Sequence, residues 1–271
     1  MKSLSIPTIY GLMCVKNEAD ILIETLPKIL EWCSVLFVID NNSTDETQKI
    51  LGSFGPNVVI LGTLRVPYQE GFKSIGYHYA KTSKNFIDPD WWAVVDADEV
   101  YIEDPRDFLK SIPAFYGRVS TNATEFIGLS SDVSLIDPKS YKYYIPLDWA
   151  ETRFFRHTSH IKWKSFNDNG FSGARPSFYE RIKLYHFPFR GAAQIEQRIS
   201  DRNESRKAAN IAWSNSDFLD AEQLLVDYKV NLRRLVADGV CFGHSAVNHY
   251  STRKQKTSMW MQKLLYVLKL R

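Results

Sequence analysis

Trp91-Trp92-Ala93-Val94-Val95-Asp96-Ala97-Asp98-Glu99 is a run of large apolar β-formers that ends in three carboxylates. A near-continuous apolar segment of this length reads as a strand buried on both faces, the kind found in the middle of an open α/β sheet. In such sheets ligands bind outside the carboxyl ends of the strands, so the acids fall where a ligand would sit. On an extended backbone Asp96 and Asp98, two apart, project to the same side. Two like charges that close are costly unless a cation lies between them. Hard dications such as Mg2+ or Mn2+ prefer oxygen ligands and commonly reach protein through one or two carboxylates plus substrate phosphates. The other reading of the triplet is an acidic turn that caps the next helix.

The surroundings repeat one pattern. Ile9 to Val15, Val35 to Ile39, Val58 to Leu61 and Trp92 to Val95 read as strands, and helical periodicity lies between them. Leu22, Leu26, Ile29 and Cys33 mark one helix face. Pro27 interrupts it, which predicts a kink or two shorter helices. Ser43-Thr44-Asp45-Glu46 has capping-box spacing and predicts a helix running to Leu51. Gly71 to Lys84 reads as another helix, with Phe72, Ile75 and Tyr79 on one side. Repeated βα units imply parallel strands and right-handed crossovers. After Asp104 the pattern changes to short β-like pieces: Arg118 to Thr124, Tyr143 to Ile145, Thr152 to Arg156, Ile161 to Lys164 and Arg181 to His186. Helical stretches close the chain, over about 192–206, 217–236 and 254–270.

Composition bounds the class. The chain has 271 residues, 44% of them hydrophobic, enough for a sizeable core. Cys14, Cys33 and Cys241 are scattered without metal-type spacing, which fits a reducing cytoplasm. No segment approaches the apolar length of a membrane span. The net charge of +3 comes from the tail, where Arg253, Lys254, Lys256, Lys263, Lys269 and Arg271 face no acid. A basic face across the body is therefore absent, which argues against nucleic acid as a partner. The tail places Trp260, Leu264, Val267 and Leu268 along one face. Such a basic amphipathic helix can lie peripherally on an anionic membrane surface or pack back on the domain.

Five motifs then fall in order: Val15-Lys16-Asn17-Glu18, Ile39 to Thr47 (IDNNSTDET), Asp96-Ala97-Asp98-Glu99, Arg153-Phe154-Phe155-Arg156, and Tyr185-His186-Phe187-Pro188-Phe189-Arg190 followed by Gln194-Ile195-Glu196-Gln197-Arg198. With them the chain resembles a family 2 glycosyltransferase of GT-A fold, in the branch with a DADE-type metal motif and a late His-Phe/Tyr-x-x-Arg motif. The resemblance implies a mixed, mostly parallel α/β sheet flanked by helices. A GT-A domain would span residues 1–200, with a nucleotide-sugar-binding half at 1–104 and an acceptor-binding half at 105–200. A helical extension would occupy 201–271. It implies a hexosyltransferase-type enzyme that takes a UDP- or GDP-sugar and a glycan or lipid-linked acceptor, with Mn2+ or Mg2+ as cofactor.

On that resemblance Asp98 contacts the ion, Asp96 reaches the ribose or the ion, Ala97 belongs to the cofactor-binding set, and His186 supplies a third metal ligand. His249 competes for that place, and a satisfied core histidine is the plain alternative for His186, which shares a strand face with Ile182 and Leu184. Asp40, at the end of the second strand, can accept from a base or ribose, or can cap the Ser43 turn. Val15 and Asn17 would line the base pocket. Glu18 would sit nearby, or be a solvated acid at a helix start. Lys73 falls where related enzymes place a basic residue and can neutralise pyrophosphate, or lie on a helix surface. Arg190 can pair with pyrophosphate through its planar fork, or form a structural ion pair. Arg153, Arg156 and His160, near Trp163, would bind acceptor or phosphate, or tie the second half together.

Leaving-group departure builds charge that a Lewis acid stabilises, and inversion needs a carboxylate base. Glu125, Asp148 and Glu151 are the candidates. Glu125 lies where the acceptor cleft should be, although relatives carry Trp-x-x-Phe-Gly where this chain has Thr124-Glu125-Phe126-Ile127-Gly128. The structural alternative for Glu125 is a salt bridge. Two rival functions remain: a nucleotidylyltransferase, whose glycine-rich phosphate loop is missing at Val15-Lys16-Asn17-Glu18, and a non-catalytic nucleotide- or sugar-binding module.

Overall fold

The computed structural model describes residues 5–201 except 129–135, 142, 147–149, 166, 167, 192 and 199. Beyond Asp201, the extension expected over 201–271, with its membrane-binding tail and His249, lies outside the described residues. Among those described, no helix is long and apolar enough to cross a membrane.

The first half alternates strands and helices. In order they are β1 (Ile9–Val15), α1 (Ala19–Trp32), β2 (Val35–Asp40), α2 (Thr47–Gly52), β3 (Val58–Thr63), α3 (Lys73–Thr82) and β4 (Trp91–Val95). The second half holds β5 (Glu99–Tyr101), α4 (Pro105–Lys110), β6 (Arg118–Gly128), β7 (Tyr143–Pro146), β8 (Thr152–Arg156), β9 (Lys162–Ser165), β10 (Asp168–Ser172) and β11 (Ile182–Arg190). A last helix, α5, covers 193–198, and Ser200 and Asp201 are helical as well. The main sheet runs β3-β2-β1-β4-β8-β6-β11-β5, with β7 beside β6, while β9 and β10 form a separate ribbon. From the pairings, β1, β2, β3, β4, β6 and β11 run one way and β5, β7 and β8 the other. The sheet is thus mixed and mostly parallel, flanked by helices, as expected.

Every residue of β4 is buried. Trp91, Ala93 and Val95 join the core under α1, with Leu22, Leu26, Ile29 and Trp32. Trp92 and Val94 point the other way, toward α3, with Leu12, Phe37, Tyr77 and Phe155. Alternation on a strand with helices on both faces explains why the run is apolar throughout. Helix α3 sits unusually close to the sheet. A Cβ on Gly76 would come within 2.9 Å of the Phe37 Cβ, so only glycine allows this approach. That approach carries Lys73, at the start of α3, to the carboxyl end of β4.

Two local expectations need correction. Helix α1 runs through Pro27 as one element instead of two. Pro27 and Ile23 lie on its exposed face, so the carbonyl deprived of its donor is on the side water can serve. The capping box does not form either. Helix α2 starts only at Thr47, because Ser43 and Thr44 bond across to Asn17: the Asn17 amide donates to Ser43 Oγ at 3.0 Å, and the Thr44 amide donates to Asn17 Oδ1 at 2.8 Å. Asn17 accepts a φ of 52° to reach them, a region that asparagine tolerates better than most residues.

Candidate active site

The backbone at Asp96-Ala97-Asp98 is a turn, and the amide of Glu99 approaches the Asp96 carbonyl at 3.4 Å. The same-side argument for Asp96 and Asp98 therefore fails, since alternation holds only on an extended chain. The chain must reverse here to place β5 antiparallel to β11. Ala97 turns into the core, and its carbonyl accepts from Thr25 Oγ1 at 2.7 Å. Its side chain offers nothing to a ligand. The two aspartates instead enter separate charge networks.

Asp96 lies between two cations. Lys73 Nζ donates to Oδ1 at 2.5 Å and Arg153 Nη2 to Oδ2 at 2.7 Å. Arg153 also reaches Glu99 Oε1 at 2.5 Å and Glu151 Oε2 at 3.0 Å. Burial opposes the charge on Asp96, but Arg153 and Lys73 outweigh it and hold the carboxyl well below its usual range. Glu99 goes the other way: burial, only partly offset by Arg153, pushes it up to about 7. Lys73 is neither a surface lysine nor a free phosphate ligand; it is buried against Asp96. Arg153 sits on the same strand face as buried Phe155, and an inward-facing arginine requires acids. That alternation was the available signal for this cluster, whose member Glu99 the sequence reading passed over.

Asp98 is 3% exposed. Three cationic side chains converge on its Oδ2: Arg198 Nη1 at 3.0 Å, His186 Nε2 at 3.5 Å and Arg190 Nη1 at 4.0 Å. None has hydrogen-bonding geometry to that oxygen. His186 lies on β11 in register with Glu125 on β6 and Glu99 on β5, and its Nδ1 is 3.4 Å from Glu125 Oε2. Burial disfavours an imidazolium, but Asp98, then Glu125, push His186 up to about 10. Asp98 is buried too, yet His186 and Arg198 hold its carboxyl well below the usual range.

No group of three or more His, Cys, Asp or Glu side chains placed to hold a metal occurs among the described residues. Asp98 and His186 do provide a two-donor set, one buried oxygen without a hydrogen bond and one imidazole nitrogen facing it. That set supplies two of the ligands an oxygen-preferring dication needs. Because a cationic imidazole has no free lone pair, ligation by His186 requires loss of its proton.

Val15 shares a β1 face with Ile9 and Met13 and packs in the core instead of lining a pocket. Asp40 is fully buried and accepts from the Ser43 amide and from Gln48 Nε2 at 2.7 Å, the turn-capping arrangement. Arg190 has no exposed side-chain surface and is held by Glu18 Oε2 at 2.5 Å, Asp20 and the Phe187 carbonyl, a structural ion pair. Glu18 is therefore not a solvated acid; burial, opposed by Arg190, pushes it up to about 7. Arg156 donates to the Ile112 and Tyr116 carbonyls and tethers a loop, Trp163 packs on Tyr77 and Phe155, and His160 is exposed. Asp148 and His249 lie outside the described residues.

Arg198, quoted only as part of a motif, is a site residue the sequence reading missed. Besides Asp98 it meets Glu18 Oε1 at 3.1 Å. Ile195 on the same helix is 2% exposed. Residues three apart share a helix face, so a buried Ile195 signals an inward Arg198.

No family model matches this chain, and no curated protein does. Among solved structures it is similar to a mycobacterial protein at 16% identity over 44% of this chain and 42% of that one, with a TM-score of 0.32. It is also similar to glucosyl-3-phosphoglycerate synthase from Mycobacterium tuberculosis, in complex with Mn2+, uridine diphosphate and phosphoglyceric acid. That match has 17% identity over 43% of each chain and a TM-score of 0.31. A third is a putative glucose-1-phosphate thymidylyltransferase from Bacillus anthracis, in complex with a sucrose, at 9% identity over 74% and 78% with a TM-score of 0.33. The chain spans less than half the length of the first two.

Proposed function

We propose that this chain is a divalent-metal-dependent glycosyltransferase that moves a sugar from a UDP- or GDP-sugar to a hydroxyl of a glycan or lipid-linked acceptor, with inversion. One observation carries the reading: at the carboxyl end of β4, Asp98, His186 and Glu125 line up side by side, with a buried Asp98 oxygen lacking a hydrogen bond. Asp98 and His186 would hold a Mn2+ or Mg2+ ion. When bound, that ion supplies Lewis-acid stabilisation of the charge growing on the departing diphosphate. Glu125 is the base that takes the acceptor hydroxyl proton as the glycosidic bond forms. His186, bridging Asp98 and Glu125, fixes the base relative to the leaving group. Lys73 and Arg153 orient Asp96, whose partly exposed carboxylate is left to a ribose hydroxyl, since the two cations on its oxygens keep a dication away.

Thermal unfolding with UDP or GDP, with and without Mn2+, tests the binding half of this reading. A ligand at 100 times its Kd stabilises the native state by about 2.7 kcal/mol. The expected outcome is a large upward shift that needs metal and nucleotide together. No shift with either nucleotide in the presence of Mn2+ removes the reading. A second reading, a non-catalytic nucleotide-sugar-binding module, draws on the absence of a three-residue metal group among the described residues. It predicts a shift with nucleotide that does not need Mn2+, and no release of nucleotide from any sugar donor.

A further inference from the structure

We infer that Arg198 is an internal placeholder for the metal: its guanidinium occupies Asp98 while no dication is bound and must leave that carboxylate when the ion arrives. The inference rests on the reading that Asp98 is a metal ligand. Four observations support it. Arg198 Nη1 is the cationic atom nearest Asp98 Oδ2, at 3.0 Å, against 3.5 Å for His186 and 4.0 Å for Arg190. The contact lacks hydrogen-bonding geometry, so it is a charge pair and lacks the directional strength of a good bidentate bond. Arg198 Nε is buried without a partner, so the side chain is not fully satisfied where it lies. Glu18 Oε1, 3.1 Å away, gives the guanidinium a second carboxylate on which to remain.

Arg190 cannot play this part, because Glu18, Asp20 and the Phe187 carbonyl hold it in place. Electrostatics drives the exchange: a dication on Asp98 Oδ2 repels the guanidinium 3.0 Å from that oxygen more strongly than that of Arg190, which stays 4.0 Å away on its own carboxylates. The helix carrying Arg198 is also tied to the loop after β1. Asp201 pairs with Lys16 at 2.8 Å and accepts from Asn17 Nδ2 at 3.4 Å. Arrival of the ion would thus remove one of the ties between 193–201 and the sheet, and would loosen that segment while the donor is being engaged. Arg198 acts through Asp98 and is a positioning residue.

The test is Mn2+ binding without nucleotide, followed by the electron paramagnetic resonance of free Mn2+, in the wild type, Arg198→Gln and Arg198→Lys. Arg198→Gln should bind about tenfold tighter than wild type because the competing charge is gone, and Arg198→Lys should bind like wild type. Adding Asp98→Asn to Arg198→Gln should abolish the gain. Equal or weaker binding by Arg198→Gln overturns the inference, whereas a merely structural arginine would not yield the gain. Should Arg198→Gln fail to fold, amide exchange in the wild type decides: Mn2+ should speed exchange across 193–201, and unchanged exchange overturns the inference. If wild type binds Mn2+ with UDP but Arg198→Gln gains nothing, the placeholder fails and the metal reading stands. If neither protein takes up Mn2+ even with UDP, the metal reading itself fails and the placeholder with it.

Discussion

Asp96 and Asp98 are separated by one alanine, yet they belong to charge networks of opposite character. Each Asp96 oxygen receives a charge-assisted hydrogen bond, from Lys73 on one side and Arg153 on the other. The Asp98 Oδ2 atom is more deeply buried and has more cations around it, but none of them makes a hydrogen bond to it. Burying a charge is costly unless it is both paired and hydrogen-bonded. The Asp96 carboxylate meets both conditions and braces the junction of β4, α3 and β8, although Glu99 Oε2 and Arg153 Nε beside it have no hydrogen-bond partner among the described residues. Asp98 Oδ2 meets only the first, which leaves that oxygen ready for a better partner. Equal chemistry two residues apart has thus diverged because the turn sends the two side chains to different neighbours.

The firmest way to break the comparison is to remove the shared cation on the Asp96 side. Arg153→Leu leaves Asp96 and Glu99 buried with too little compensation, and losing one partner of a buried pair costs about 3–5 kcal/mol. Glu99, already pushed up to about 7, can protonate and limit the loss, so the result should fall near the lower end. Chemical denaturation measures it, and adding Glu99→Gln should recover part of the stability. A loss under about 1 kcal/mol would mean that this network does not brace the fold. On the other side, Asp98→Asn should act on chemistry more than on stability. Transfer should drop about 10^3-fold, the order seen when a preorganised electrostatic group is lost, while the protein stays folded by circular dichroism. Undiminished turnover would erase the distinction between the two aspartates.

Glu125→Gln sharpens the comparison by asking whether the Asp98 side also holds the base. The amide keeps a hydrogen-bonding group beside His186 but cannot accept a proton. Turnover should fall about 10^2-fold with donor affinity unchanged. Equal losses in donor affinity and turnover would instead make Glu125 a structural partner of His186.

How far the sequence reveals this depends on whether a feature is local. The range expected for β8, Thr152 to Arg156, coincides with the observed strand, and β1, β2 and β4 agree to within a residue, because apolar runs and alternation report burial directly. Alternation also carries information that went unused: Val15 shares its face with Met13, and Arg153 shares its face with Phe155. The turn at 96–98 was hidden, since the same letters suit an extended strand end, and only the need to pair β5 with β11 selects the turn. Charge partners were the least legible. Lys73 lies 23 residues from Asp96 and Arg153 lies 57 away, and nothing along the chain specifies which buried cation meets which acid. Arg198 needed its own helix face to be read, with Ile195 as the guide.

The smallest expected effect comes from a site outside both networks, at the far end of β4, and it serves as the reference for them. Trp92 Nε1 donates to His157 Nδ1 at 3.1 Å, and His157 Nε2 lies 3.3 Å from Asp88. The tryptophan N–H needs a lone pair on Nδ1, so the bond exists only with neutral imidazole. Burial holds the His157 pKa below 6.5, only partly opposed by the exposed Asp88. The folded state therefore binds this proton less readily than the unfolded chain. Stability from His157 is fully present above pH 6.5 and is lost as the pH falls toward and through the lower folded value. Between pH 7 and pH 5 the wild type should lose about 1 kcal/mol more than His157→Gln, the size of one hydrogen bond, because glutamine can accept from Trp92 without titrating. Parallel pH profiles for the two proteins would show that His157 contributes no such pH dependence. Any steeper acid sensitivity that the glutamine variant retains would then belong to the buried carboxylates around the 96–98 turn.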